Sequence, residues 1–280
     1  MLNLHSKIHD DCFNHETLMS LFNISISCIL SYGCETWGSH KDEDIEKVHL
    51  NFLKRTLKVR RSVVNCMVYF ELGRVPMDVE RYYRMIKYWC KILKTENIVL
   101  NICYESMFES SHKKLNKKFN WTGNIFVDMV SMIYGSLKML LMKIDFYVNL
   151  NKELLIVFVS EAVAFFEDSP KCNFYRYIYD IHLLQFYLSR PVDYMYKPLI
   201  CKYRIHAHSL KIETGRYLNI DRQERICDFC NDSCIEDEFH LILKWKNMMT
   251  CVNSILNLIT GRNHMLLNWY NYCQFVILKS

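Results

Sequence analysis

Glycine and proline are scarce, at 7 and 4 of 280 residues, together about 4% where an average chain carries roughly 12%. So little backbone punctuation predicts a mainly α-helical chain. The glycines, at 33, 38, 73, 123, 135, 215 and 261, never fall into G-x-G-x-x-G or G-x-x-x-x-G-K-[ST], which leaves no material for a dinucleotide turn or a phosphate loop. Long apolar runs are missing as well. The longest, residues 154–166, has Glu161 inside it and falls short of the ~20 residues that span a bilayer, so no membrane segment is expected. The amino end lacks the basic-then-apolar pattern of a secretory signal, and 13 cysteines is an odd number. Both point to a reducing, intracellular compartment, nuclear or cytoplasmic, rather than secretion.

Paired carboxylates are also lacking. Two-metal polynucleotide synthesis needs an Asp pair on a strand hairpin and a further Asp from an earlier strand, whereas the sole Asp-Asp pair is Asp10-Asp11, with nine residues before it. No polymerase centre, and no catalytic residue of any kind, is expected in the chain itself. The acidic run Glu236-Asp237-Glu238 has no convergent partner that would make it a nuclease. His206-x-His208 followed by Glu213 can be written as a metal-hydrolase fragment, but no third ligand follows at helical spacing, so a hydrogen-bonding role for His208 is the expectation.

What is present is apolar and locally basic. Hydrophobic residues make up 51% of the chain and the net charge is +5, but residues 41–120 hold 17 Lys and Arg against 10 Asp and Glu, leaving the remainder slightly acidic. Such a concentration of cations is the footprint of a nucleic-acid contact surface. Three regions follow from the composition: a basic helical region, 1–111; a polar linker (112–124) and apolar packing region, 112–170; and a helical region with a Cys/His segment, 171–280. Another helix is expected over residues 174–188.

Two helices carry the cations. After Asp42, Glu43 and Asp44, Ile45, Val48, Phe52, Leu53 and Leu57 recur at helical spacing while Lys47, Asn51, Lys54, Arg55 and Lys58 take the other side. Lys54, Arg55, Lys58, Arg60 and Arg61 make five of eight successive residues cationic, a density able to neutralise several phosphates. After Pro76, Val79, Tyr82, Ile86, Trp89 and Leu93 define an apolar face, and Arg81, Arg84, Lys87, Lys91 and Lys94 a basic stripe. That stripe suits a solvated surface and phosphate tracking equally well.

Cys227-x2-Cys230, followed after nine residues by His240, is three quarters of a zinc knuckle: two thiolates from a turn and an imidazole from a helix. A cysteine one turn after His240 would complete the tetrahedron, but Trp245 stands there. Cys234, Cys251, His206 and His208 are the alternatives for the fourth ligand, and ordinary core and loop roles for all three residues are the alternative to zinc.

Taken together, residues 26–38 (ISCILSYGCETWG), 45–62 (IEKVHLNFLKRTLKVRRS), 69–77 (YFELGRVPM), 81–93 (RYYRMIKYWCKIL), 208–217 (HSLKIETGRY) and 225–243 (RICDFCNDSCIEDEFHLIL) resemble, in order and spacing, the region downstream of the polymerase palm in invertebrate non-LTR retrotransposon reverse transcriptases. The resemblance covers about residues 21–245. It implies a helical thumb- and connection-like region that grips template and primer, then a small zinc-knuckle-like module at 225–245, with RNA or an RNA–DNA duplex as partner. Lys54, Arg55, Lys58, Arg60 and Arg61 would meet the backbone, and Arg84, Lys87 and Lys91 would extend the contact. The sequence departs from the family at Trp245, where the last metal-site cysteine belongs, and at Cys28, where a proline is usual. Both departures are what a decaying copy would accumulate. The alternative is therefore a structural relic or interaction protein with no nucleic-acid affinity.

Overall fold

A computed structural model describes residues 14–38, 42–112, 146–179, 184–189, 196–228, 230 and 233–243. Nearly all of the expected linker, the start of the apolar stretch from residue 125, and Asp10, Asp11, Trp245 and Cys251 lie outside them. Among the described residues the chain is mainly helical, with no strand and two isolated bridges, and no helix is long and apolar enough to cross a membrane. Backbone contacts divide it into two compact units built from separated stretches. One takes its residues from Met1–Leu18, Phe52–Arg74 and Val163–Ser280, the other from Met19–Asn51 and Val75–Ala162.

The second of these units is organised by the helix Met77–Leu93, which buries Met77, Arg81, Tyr82, Met85, Ile86 and Ile92. Pro76 precedes its first residue, and the Met77 N–H donates to Glu46 Oε2 at 2.8 Å, so a carboxylate sits on the positive end of the helix. The other oxygen of Glu46 meets His49 Nδ1 at 3.0 Å, and the His49 ring stacks on Phe22 at 5.1 Å. The buried stripe is turned from the expected one. Val79 and Trp89 are half-buried and Leu93 is exposed, whereas Arg81, placed on the basic face by its charge, is 1% exposed with its guanidinium 5.6 Å from the Trp37 ring. Stacking on indole gives a planar cation a place to lie that an ammonium could not use as well.

The first unit is built around aromatic rings and one buried ion pair. Phe166, near the end of the helix Phe146–Asp168, meets Phe70 edge-on at 5.2 Å and Tyr175 at 5.4 Å, and Tyr175 stacks on Tyr179 at 5.7 Å. Glu71 and Arg204 pair at 2.9 Å with both side chains buried. Residues 174–188 do not form the expected single helix. A 3-10 turn, Tyr175–Tyr177, is followed by a bridge from Leu184 to Leu72 and a short helix, Phe186–Ser189. The reason is local competition: the Gln185 N–H donates to Glu71 O at 3.0 Å and its amide to Phe70 O at 3.1 Å, which draws the chain out of helical register.

In the helix Glu43–Thr56, the Asp42 carboxylate accepts from the N–H groups of Asp44 and Ile45, a cap for donors with no intrahelical partner. Ile45, Val48 and Phe52 are half-buried, while His49, Leu53 and Leu57 are buried. Lys54, adjacent to Leu53 on this rotated stripe, is buried with them.

Candidate functional site

The Cys/His segment is folded by a narrow backbone pairing. Cys227 N–H donates to Cys234 O at 2.9 Å, Glu236 N–H to Arg225 O at 2.8 Å, and Ile226 bridges Ile235. This closes the turn that carries Cys230, and the chain then enters the helix Glu238–Leu243. Asp237 caps it, its Oδ1 accepting from the His240 N–H at 2.7 Å. Although that bond opposes it, burial raises the Asp237 carboxyl above its usual pKa.

The cap fixes where His240 points. Its Nε2 stands 3.3 Å from Cys230 Sγ, and the ligand atoms of Cys227, Cys230 and His240 all lie within 4.8 Å of one another. Cys227 and His240 are buried, and His240 Nδ1 has no hydrogen-bond partner. Two soft sulfurs and an imidazole nitrogen converging from a turn and a helix fit zinc, and supply three of the four ligands it takes. The segment thus brings together the three residues singled out from their spacing. Cys234 is half-buried on the facing arm of the turn; Cys251 lies outside the described residues.

A second group of possible ligands is His206, His208 and Glu238. Glu238 Oε1 stands 2.6 Å from both His206 Nδ1 and His208 Nε2. Burial alone would raise the Glu238 carboxyl, but the two imidazoles hold it well below the usual carboxylate range. The polarity of His208 decides against a metal here. Its Nδ1 accepts from the Leu210 N–H at 3.3 Å, so Nε2 carries the proton and donates to Glu238. A metal-bound imidazole has the opposite arrangement, donating from its far nitrogen. His208 is doubly hydrogen-bonded, the role its spacing led us to expect. Glu238 was missed as its partner because the contact joins positions 30 residues apart and no local pattern marks it.

The eight expected backbone-contacting cations divide. Arg55, Lys58, Arg60 and Arg61 are exposed in the first unit, and Lys87 and Lys91 are exposed on the helix Met77–Leu93 of the other. Lys54 is not at the surface. It is 7% exposed, and its ammonium donates to Arg61 O at 2.7 Å, Val63 O at 2.8 Å and Asn65 Oδ1 at 2.7 Å, burial lowering its pKa. Two carbonyls of the loop after the helix and the Asn65 amide oxygen at the start of the next helix need a donor, and Lys54 supplies all its protons to them. It is therefore a positioning residue for the loop that bears Arg60 and Arg61. Arg84 is half-buried and held by Glu35, with Nη2 at 2.7 Å and Nε at 3.1 Å from the same oxygen.

The chain was compared with models of protein families, with curated proteins and with solved structures, and nothing matches in any of the three.

Proposed function

We propose that this chain is a nucleic-acid-binding, post-palm region of a non-LTR retrotransposon reverse transcriptase, holding RNA or an RNA–DNA duplex by its backbone and having no polymerase centre of its own. The observation that carries the reading is the end of the helix Glu43–Thr56 and the loop after it: Arg55, Lys58, Arg60 and Arg61 are all exposed, while the Lys54 ammonium ties the loop down through Arg61 O and Val63 O and joins it to Asn65 Oδ1. A buried lysine that rigidifies an arginine-bearing loop favours repeated phosphate contact over a merely solvated surface, because less ordering entropy is lost on binding. Lys87 and Lys91 are assigned to the same class of contact on their own unit. Zinc is the ion assigned to Cys227, Cys230 and His240, where it would fix the turn to the helix Glu238–Leu243.

The test is fluorescence anisotropy of a labelled RNA–DNA duplex across a salt series. Each backbone contact adds about 0.7–0.9 to the slope of log K against log salt. Changing Arg55, Lys58, Arg60 and Arg61 together to Gln is expected to flatten that slope by about 2–4. An unchanged slope would overturn the reading in favour of a structural or interaction role, for which the inward turn of Lys54 and the pairing of Arg84 already speak.

A further inference from the structure

Within the first unit lies a cleft whose open space, counted out to solvent, is about 480 Å³. Three cations line it from three separate segments. Arg60 comes from the loop after the helix Glu43–Thr56, Lys171 from the 3-10 turn Pro170–Cys172, and Arg216 from the helix Lys211–Tyr217. Ser62, an exposed residue, also lines it. One carboxylate, Glu213, also lines the cleft, and Arg216 Nη1 stands 2.8 Å from its Oε1. The lining therefore keeps an excess of positive charge after that pair is set aside.

His206 adds an independent observation. It lines the same cleft and its side chain is 6% exposed; Nδ1 lies 2.6 Å from Glu238 Oε1, while Nε2 makes no hydrogen bond. Its backbone is held at a φ of 57°, a left-handed conformation that costs a non-glycine residue on the order of 1 kcal/mol or more. Buried polar groups are normally satisfied by protein or water. A strained, buried imidazole whose Nε2 has no partner, on the lining of a cleft that also carries three cations, is what remains when a bound group supplies the missing bond.

We propose that this cleft seats a phosphate group, a phosphodiester of the bound strand, with Arg60, Lys171 and Arg216 as its cationic contacts and His206 on its floor. Cations approaching from three directions match a tetrahedral group with several acceptor oxygens, whereas a carboxylate is met fully by one guanidinium fork. Arg60 belongs both to the cleft and to the exposed basic loop, so a strand lying along the loop has a phosphate within reach of the cleft. The assignment of the phosphate to a strand rests on the nucleic-acid reading above; the seat itself does not.

Two measurements on the full chain separate these. Thermal unfolding with and without millimolar inorganic phosphate, against sulfate-free buffer of equal ionic strength, tests the seat directly. Wild type is expected to melt higher in phosphate, and Lys171→Glu and Ser62→Asp are expected to lose the shift. Both positions are exposed, so the two variants should fold as the parent does, and Ser62→Asp introduces repulsion without removing a cation. Duplex anisotropy then tests the source. Lys171→Gln should weaken binding about fivefold at 0.15 M salt and lower the salt slope by about one contact. A phosphate shift in a chain that binds no duplex supports the seat with free phosphate as its ligand and sinks the parent reading. Tight duplex binding with no phosphate shift, and an unchanged slope in Lys171→Gln, overturns the seat and leaves the parent reading standing.

Discussion

Removing Arg204 should be the most damaging single change in the first unit. Its Nε donates to Glu71 Oε1 at 2.9 Å, and its Nη2 to Ile178 O at 2.9 Å and Gln185 Oε1 at 2.5 Å. Tyr187 Oη donates to the other carboxylate oxygen of Glu71 at 2.5 Å. The guanidinium also lies 5.4 Å and 6.0 Å from the Tyr187 and Tyr175 rings. Neither member of the ion pair reaches water. Arg204→Met keeps most of the volume but strands a buried carboxylate and two acceptors. Breaking a buried pair from one side costs about 3–5 kcal/mol, and these losses are one term rather than a sum, because the groups form one network. Glu71→Gln on the Arg204→Met background removes the stranded charge while keeping an acceptor for Tyr187, and should recover about 2 kcal/mol of the loss. Cys201 offers a local assay. It is 1% exposed, and burial pushes its thiol far above the usual range, so alkylation followed by peptide mass mapping reads opening of this core specifically. A loss of 3 kcal/mol corresponds to about a hundredfold faster labelling when opening is the limiting equilibrium. Labelling within about threefold of wild type in Arg204→Met, or no recovery in the double variant, would refute the argument.

Burial, then the charges of Lys197 and Lys58, lower the His15 pKa from 6.5 to about 4. The folded state therefore holds fewer protons, and stability present above pH 6.5 should fall by about 3 kcal/mol as pH drops toward 4; urea titrations at stepped pH should show His15→Gln flattening this window. At Gly215 a Cβ would come 2.6 Å from Arg225 Nε and 2.7 Å from its Cδ. That arginine is pinned by bonds to Ile220 O and Ile212 O, so Gly215→Ala should destabilise by about 1–3 kcal/mol, seen in the denaturant midpoint. Zinc added to metal-free protein should raise the melting temperature with the logarithm of free zinc once the site fills. Cys230→Ser or His240→Ala should abolish the rise, and His208→Gln should leave metal content, measured by elemental mass spectrometry, unchanged.

Helical character and helix positions were legible because periodicity needs only local information. The facing of the helices was legible only in part. Charge assigns Arg81 and Lys54 to the surface, but a long aliphatic stem lets a cation lie along apolar neighbours, and what then decides is whether a partner waits inside. For Lys54 the partners are loop carbonyls up to nine residues on, and for Arg81 an indole from another segment. The Cys227, Cys230 and His240 grouping could be read because a tight turn and a following helix are both short-range devices. The cleft could not, because its cations are contributed by residues 60, 171 and 216 and no sequence window contains them. Residues 174–188 show the limit from the other side: a segment whose aromatic residues are buried on several sides carries no clean period to read.

The acidic run at residues 236–238 reads in sequence as one block of the Cys/His segment, yet its three members do three different things. Glu236 works through its backbone, donating to Arg225 O and accepting from the Ile212 N–H at 3.1 Å. Asp237 caps the helix and so aims His240 at Cys230. Glu238 meets His208 and His206. Positions i and i+2 of a helix do not share a face, so Glu238 and His240 are sent to different neighbours by a single turn of backbone. On the His240 side are sulfurs that suit a soft cation. On the Glu238 side are His208, whose own hydrogen bonds exclude it from metal ligation, and His206 on the lining of a cleft that carries three cations. The carboxylate on that second side is already engaged by imidazoles, which leaves the cationic lining of the cleft to act on an anion. One short helix thus keeps a candidate cation centre and a candidate anion seat adjacent in sequence without placing their charges in competition.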